Sequence, residues 1–275
     1  MKDWDVKVLY LGKCTARLSI LWPAGMPPLS EDHVISAPYL AFLLQSKGQN
    51  ILIDTGISEK FIVDGKAWGG LPAEGGKEFL GKALAKEGLS PADIDTIIYT
   101  HLHNDHAANC TLFTNARLIL QRDEWWNLLY PLPVQLLRRD YDLDAVQELK
   151  TAKCLMVDGD FDLADGIKLY KTPGHTRGSQ TVAVNTKKGV VAFAGDLAIM
   201  NYTMFPGTTE IVDMEGKAHE IPPAPKIFGP AVPHSIIYDF YAFYDSIYKI
   251  KAIASKDKPG FIIPGHEPSL VLTGI

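Results

Sequence analysis

Ile94-Asp95-Thr96-Ile97-Ile98-Tyr99-Thr100-His101-Leu102-His103-Asn104-Asp105-His106 runs an apolar stretch directly into four side chains able to bind a metal. Its β-branched and aromatic content predicts a strand. If the backbone stays extended beyond it, alternation places His101, His103 and Asp105 on one side. His106 breaks that parity, so the chain has to turn there, and a helix starting at Ala107 would carry its imidazole toward the same pocket. Candidate ligands this dense can serve two adjacent ions.

Three further candidates share one local pattern, a strand closed by a glycine turn: Ile167 to Gly174-His175, Val190 to Gly195-Asp196, and Phe261 to Gly265-His266. Ligands in open α/β sheets gather outside the carboxyl ends of strands, and glycine permits close backbone approach there. An isolated histidine is more often a satisfied core or surface group, and His33, His219 and His234, which have neither a ligand cluster nor a glycine turn beside them, are read that way.

Apolar runs such as Tyr39–Leu44 and Ile51–Ile53 read as strands, the latter closed by Asp54-Thr55-Gly56. Helical patterns alternate with them at Glu78–Glu87, Asp123–Leu129 and Asp239–Ala254. The class is therefore α/β. Gly48 to Asp54 echoes Gly189 to Asp196, each a turn, an apolar strand and a terminal aspartate, as two similar halves packed sheet against sheet would produce. One domain over residues 1–275 is the default for this length. The segment 201–235 departs from the rest: it holds Pro206, Pro222, Pro223, Pro225, Pro230 and Pro233 with no sustained period. It reads as a long surface excursion: a lid over the active site, a plain surface insertion, or a contact with a neighbouring subunit, so a homodimer is compatible with it.

The chain of 275 residues is 47% hydrophobic and carries 27 basic against 32 acidic residues. That balance, without a block of like charge, argues against a nucleic-acid partner or an anionic membrane surface. Neither a secretory signal nor an uninterrupted apolar run of about 18 residues is present. Cys14, Cys110 and Cys154 lack the paired spacing of a zinc ribbon, and the expected setting is the cytoplasm.

His101-Leu102-His103-Asn104-Asp105-His106 matches the HxHxDH signature of the metallo-β-lactamase superfamily, and His175, Asp196 and His266 match its downstream ligands in order. Phe113 to Glu124 and Thr172-Pro173-Gly174-His175-Thr176-Arg177-Gly178 resemble the N-acyl-homoserine lactonases in particular. The resemblance implies an αββα sandwich with one metal on His101, His103 and His175, a second on Asp105, His106 and His266, and Asp196 bridging them. It implies two divalent ions, zinc first, with iron, manganese or cobalt as alternatives, since imidazole and carboxylate suit all of these. Asp54 matches a strand-end aspartate that fixes the loop rather than ligating, with a simple Asx turn as the alternative.

Such a site hydrolyses small molecules: the paired cations activate a shared water, which attacks a lactone or carboxylic ester, while Asp105 orients the water and passes a proton to the leaving alkoxide. Thiolester hydrolysis of the glyoxalase II kind and phosphotriester hydrolysis use the same ligand set, and an inactive metal-binding regulatory module is the reading from another class. His103 stands where di-iron relatives carry glutamate, and Asp196 where subclass B1 β-lactamases carry cysteine. Ile199 and Asn104 occupy positions where many acyl-homoserine lactonases have tyrosine and phenylalanine, which leaves Tyr202 as a candidate carbonyl donor. Trp22, Met26, Trp68, Met204 and Phe205 are candidate pocket walls.

Overall fold

The computed structural model describes residues 2–275. The first half of the chain supplies β1 (Asp5–Arg17), β2 (Val34–Ser46), β3 (Gln49–Ile53), β4 (Lys66–Ala67), β5 (Leu71–Gly75), β6 (Thr96–Ile98), β7 (Arg117–Gln121) and β8 (Lys153–Val157). These assemble in the order β4-β5-β1-β2-β3-β6-β7-β8. The second half supplies β9 (Phe161–Ala164), β10 (Ile167–Lys171), β11 (Gln180–Thr186) and β12 (Gly189–Gly195), then a small ribbon of β13 (Glu210–Val212) and β14 (Ala218–Glu220), and last β15 (Ile262–Pro264). Its main sheet has the order β15-β12-β11-β10-β9.

The unbroken apolar run in β2 reflects a strand covered on both faces. Leu40, Phe42 and Leu44 point into the layer between the sheets, where Val182, Val191 and Phe193 come from the other side. Phe42 and Phe193 meet there with ring centroids 4.7 Å apart. Tyr39, Ala41 and Leu43 point the opposite way, toward Leu80 and Leu84, which the helix Lys77–Lys86 presents on one face. On the far side the helix Phe240–Ile253, capped by Asp239, lays Phe243, Ile247 and Ile250 against Ala192, Ala194 and Ile262. Helix, sheet, sheet and helix form the expected αββα sandwich.

The internal echo is real in topology. β3 is antiparallel to β2 and parallel to β6, and β12 is antiparallel to β11 and parallel to β15. Asp54 directly follows β3 and Asp196 directly follows β12, and in each sheet the parallel neighbour leads into histidines. No described helix is long and apolar enough to cross a membrane.

Two local expectations need correction. No helix begins at Ala107; a tight turn does the work, with the His106 and Ala107 amides both donating to the His103 carbonyl. The Pro-rich segment is not a bare excursion: it folds as a short helix at Asn201–Met204 followed by the β13-β14 ribbon. Ile211 and Ile221 are buried with Leu18, Ile35 and Ala37, and Met204 is buried in the cluster around Phe243. The segment is thus a wall fastened to the molecule's own surface, although Ile227 stays 88% exposed.

Because the apolar residues of this wall are packed into the body, Ile211→Ala or Ile221→Ala should cost about 2–5 kcal/mol of stability. Chemical denaturation would measure it, and a loss below about 0.5 kcal/mol would show that the wall is not anchored this way.

Candidate metal centre

The cluster forms where strands of both sheets end. His101, His103, Asp105 and His106 follow β6 in the first sheet, and His175, Asp196 and His266 follow β10, β12 and β15 in the second. All seven are buried. Ligand-capable atoms converge in three sets, each with its atoms within 4.8 Å of one another: His101, His103 and His175; His101, His106 and Asp196; Asp105, His106 and His266.

The outer hydrogen bonds decide which nitrogens face inward. His106 Nδ1 donates to Asp54 Oδ2 at 2.9 Å, His175 Nδ1 to the Ile236 carbonyl at 2.9 Å, and His266 Nδ1 to the Pro38 carbonyl at 2.8 Å. These oxygens accept only, so Nδ1 carries the hydrogen and, in the neutral ring, Nε2 presents a lone pair. His101 is locked less directly. The Thr100 hydroxyl gives its hydrogen to Asp54 Oδ2 at 2.7 Å, so it accepts from His101 Nδ1 at 3.1 Å. His103 has no such tether; its Nδ1 lies 3.0 Å from His175 Nε2.

In the neutral rings these lone pairs face one another. His106 Nε2 and His266 Nε2 stand 3.3 Å apart, with Asp196 Oδ2 3.1 Å from the latter and Asp196 Oδ1 3.2 Å from the former. His101 Nε2, His103 Nε2 and Asp196 Oδ1 are buried without any hydrogen-bond partner. Such an arrangement is costly unless cations occupy its middle, and imidazole with carboxylate is a donor set that divalent metals favour. The residues present fit a divalent metal centre.

Burial and the crowding of imidazoles press His101 and His103 well below the ordinary histidine range. Burial likewise lowers His175 to about 3. These three are therefore neutral and ready to ligate. For His106 and His266 burial works downward too, but the Asp196 and Asp105 carboxylates outweigh it and raise both. Burial raises Asp105. Asp196 stays well below the usual carboxylate range in spite of burial, because His266 and His106 flank it.

Asp54 holds the ligand loop as expected. Its carboxylate accepts from the Thr100 amide at 2.7 Å, the Thr100 hydroxyl and His106. Glu124 is a second, fully buried clamp, accepting from the Leu102 amide, the Tyr141 hydroxyl, the Thr176 hydroxyl and the Gly178 amide. It ties the loop of His101 and His103 to the loop of His175. A Cβ on Gly178 would meet the Glu124 backbone at 2.1 Å, and one on Gly265 would meet Asp196 Oδ1 at 2.1 Å, so both close approaches require glycine.

A cavity of about 710 Å³ opens onto the cluster, reached by His103, Asp105, Asp196 and His266 and walled by Phe61, Val63, Trp68, Leu137, Ile199 and Ile236. Of the five residues expected to line it, only Trp68 does. Trp22 instead packs on Tyr202 at 5.3 Å, and Met204 belongs to the helix-side core. Met26 and Phe205 also lie away from the lining. Tyr202 is no carbonyl donor, since it does not line the cavity and its hydroxyl donates to the Leu21 carbonyl at 3.0 Å. His33 and His219 lie off the site, meeting edge to face with ring centroids 4.8 Å apart, and His219 Nε2 is 2.7 Å from Asp213. His234 is the residue the sequence reading missed: it lines the cavity and bonds the Asp196 carbonyl at 2.8 Å. Its aperiodic Pro-rich surroundings carry no signal of that placement.

The fold and the centre are those of a metal-dependent hydrolase, and the family model described as the Metallo-beta-lactamase superfamily matches residues 37–121, the stretch that carries His101 to His106. The chain is similar to the N-acyl homoserine lactonase of Bacillus thuringiensis, 28% identical over 273 residues that cover 95% of this chain and 94% of that protein. The Bacillus cereus N-acyl homoserine lactonase is 27% identical over 247 residues, covering 87% and 85%. Among solved structures, an N-acyl homoserine lactone hydrolase holding N-hexanoyl-L-homoserine at its catalytic metal centre superposes with TM-score 0.70 at 24% identity, covering 97% and 94% of the two chains. The dizinc quorum-quenching lactonase AidC superposes with TM-score 0.64 at 19% identity, covering 96% and 90%.

Asp54→Ala should weaken metal retention about 10–100-fold, as removal of a ligand-orienting partner does. His219→Ala should leave it unchanged, and competitive chelator titration of both variants checks the pair; equal losses would refute the placement.

Proposed function

We propose that the chain, read as one domain, hydrolyses a lactone or carboxylic ester of a small, largely apolar molecule. Two divalent cations, zinc first with iron, manganese or cobalt as alternatives, would be held by His101, His103 and His175 on one side and by Asp105, His106 and His266 on the other, with Asp196 between. The observation that carries this reading is the set of inward lone pairs exposed at the base of an apolar-walled cavity. The N-acyl homoserine lactonases similar to this chain act on lactones, which places lactones ahead of thiolesters and phosphotriesters. Free thiols at Cys14, Cys110 and Cys154 support a reducing, cytoplasmic setting.

A pair of divalent cations supplies a water acidified toward a pKa of about 7 and withdraws charge from a carbonyl oxygen. The side chains do the rest. Asp105, with Oδ2 3.6 Å from His266 Nε2, lies at the cavity surface and is raised by burial. As a carboxylate it would orient the attacking water, take up the proton that water gives up and pass it to the leaving alkoxide. Tyr39 and Trp68, joined by a 2.9 Å hydrogen bond from the indole N–H, give the mouth a rigid aromatic side, and Tyr39 stands edge-on to His266. Ile199 and Met200 add apolar lining.

The expected outcome is turnover of lactones or carboxylic esters by metal-loaded protein, lowered about 10²–10⁴-fold by Asp105→Asn. A panel of lactones, esters, thiolesters and phosphotriesters tests it. Efficient cleavage of the last two classes, with every lactone and carboxylic ester ignored, would overturn the substrate assignment.

A further inference from the structure

We propose that His234 sets which lactones or esters this site prefers, by accepting through Nδ1 a hydrogen bond from an N–H group on the substrate. The inference rests on the lactone or ester reading above. His234 Nε2 lies 2.8 Å from the backbone carbonyl of Asp196. A carbonyl can only accept, so Nε2 carries the hydrogen, and a neutral imidazole protonated there has a bare lone pair at Nδ1. That Nδ1 is buried with no hydrogen-bond partner. The residue is 2% exposed and lines the cavity beside the metal cluster. Its ring lies 5.7 Å from that of His175.

The ring is not on a loose loop. Val232 N–H donates to the Thr203 carbonyl at 2.7 Å, Ile237 N–H to the His234 carbonyl at 3.2 Å, and the Ile236 carbonyl receives His175. A fixed, buried acceptor without a donor is unfavourable by itself, and a substrate donor removes the penalty. Since His234 touches Asp196 and neighbours His175, the donor it meets lies close to the scissile carbonyl. An acylamino group on the carbon next to that carbonyl supplies such an N–H; an alkyl lactone of the same ring does not. Ile199 offers the cavity no hydrogen bond of its own; Asn104 Oδ1 and His234 Nδ1 are both lining acceptors without a partner, and His234 is the one bonded to the Asp196 carbonyl.

The test compares wild type, His234→Gln and His234→Asn, each metal-loaded to verified content, on an α-acylamino-γ-butyrolactone and an alkyl γ-lactone of matched chain length. Glutamine can keep the donor to the Asp196 carbonyl while losing the Nδ1 acceptor; asparagine can place an oxygen near the Nδ1 position. Wild type should favour the acylamino lactone, His234→Gln should cut the ratio of the two kcat/KM values about tenfold, chiefly through KM, and His234→Asn should restore part of it. In protein labelled with ¹⁵N-histidine, the His234 Nδ1 resonance should shift on saturation with the ring-opened acylamino acid and not with the alkyl hydroxy acid. Equal losses on both lactones, or no selective shift, would overturn the role of His234 and leave lactone hydrolysis standing. Failure of wild type to open either lactone, with no resonance shift, would remove the reading beneath it.

Discussion

The site depends on imidazoles whose outer nitrogens are already committed. His106, His175 and His266 each donate Nδ1 to an oxygen that can only accept, and the Thr100 hydroxyl, committed to Asp54, forces the same tautomer on His101. Four Nε2 lone pairs must therefore face a buried space that also holds Asp105 and Asp196. The protein tolerates this because the tethers are two backbone carbonyls, one buried carboxylate and the Thr100 hydroxyl which that carboxylate holds. Relaxation of the histidines toward each other would strand those acceptors in turn.

Fold and centre are joined by the same few residues. Gln180, at the start of a strand in the second sheet, donates its amide to the Thr100 carbonyl at 2.8 Å and its side chain to the Tyr99 carbonyl at 2.7 Å in the first. Glu124 clamps the two ligand loops across the same seam. The sheets cannot slide without separating His101 and His103 from His175, so packing of the apolar layer and geometry of the centre are one constraint. The wall from 201 to 235 adds a third party, carrying His234 to the cavity and receiving His175 at the Ile236 carbonyl.

Much of this was legible in the sequence because strand alternation and strand-end glycines are local signals that pick out the clustered residues, while the loop-fixing role of Asp54 was implied by the resemblance to metallo-β-lactamase-fold hydrolases. Long-range choices were not legible. The helix expected at Ala107 is replaced by a turn held at the His103 carbonyl, a distinction residue composition does not make. Trp22, Met204 and Tyr202 are apolar or aromatic enough for a pocket, yet which cluster each joins depends on how an aperiodic segment folds back. His234 was read as a satisfied histidine for the same reason: only the folded wall places it against Asp196.

The central claim is that these inward lone pairs serve two cations at once. Elemental analysis of protein saturated with zinc and passed through a desalting column measures it directly. The account predicts about two ions per chain, falling for both positions together in Asp196→Ala because its carboxylate lies between them. Saturation at about one ion per chain would contradict it.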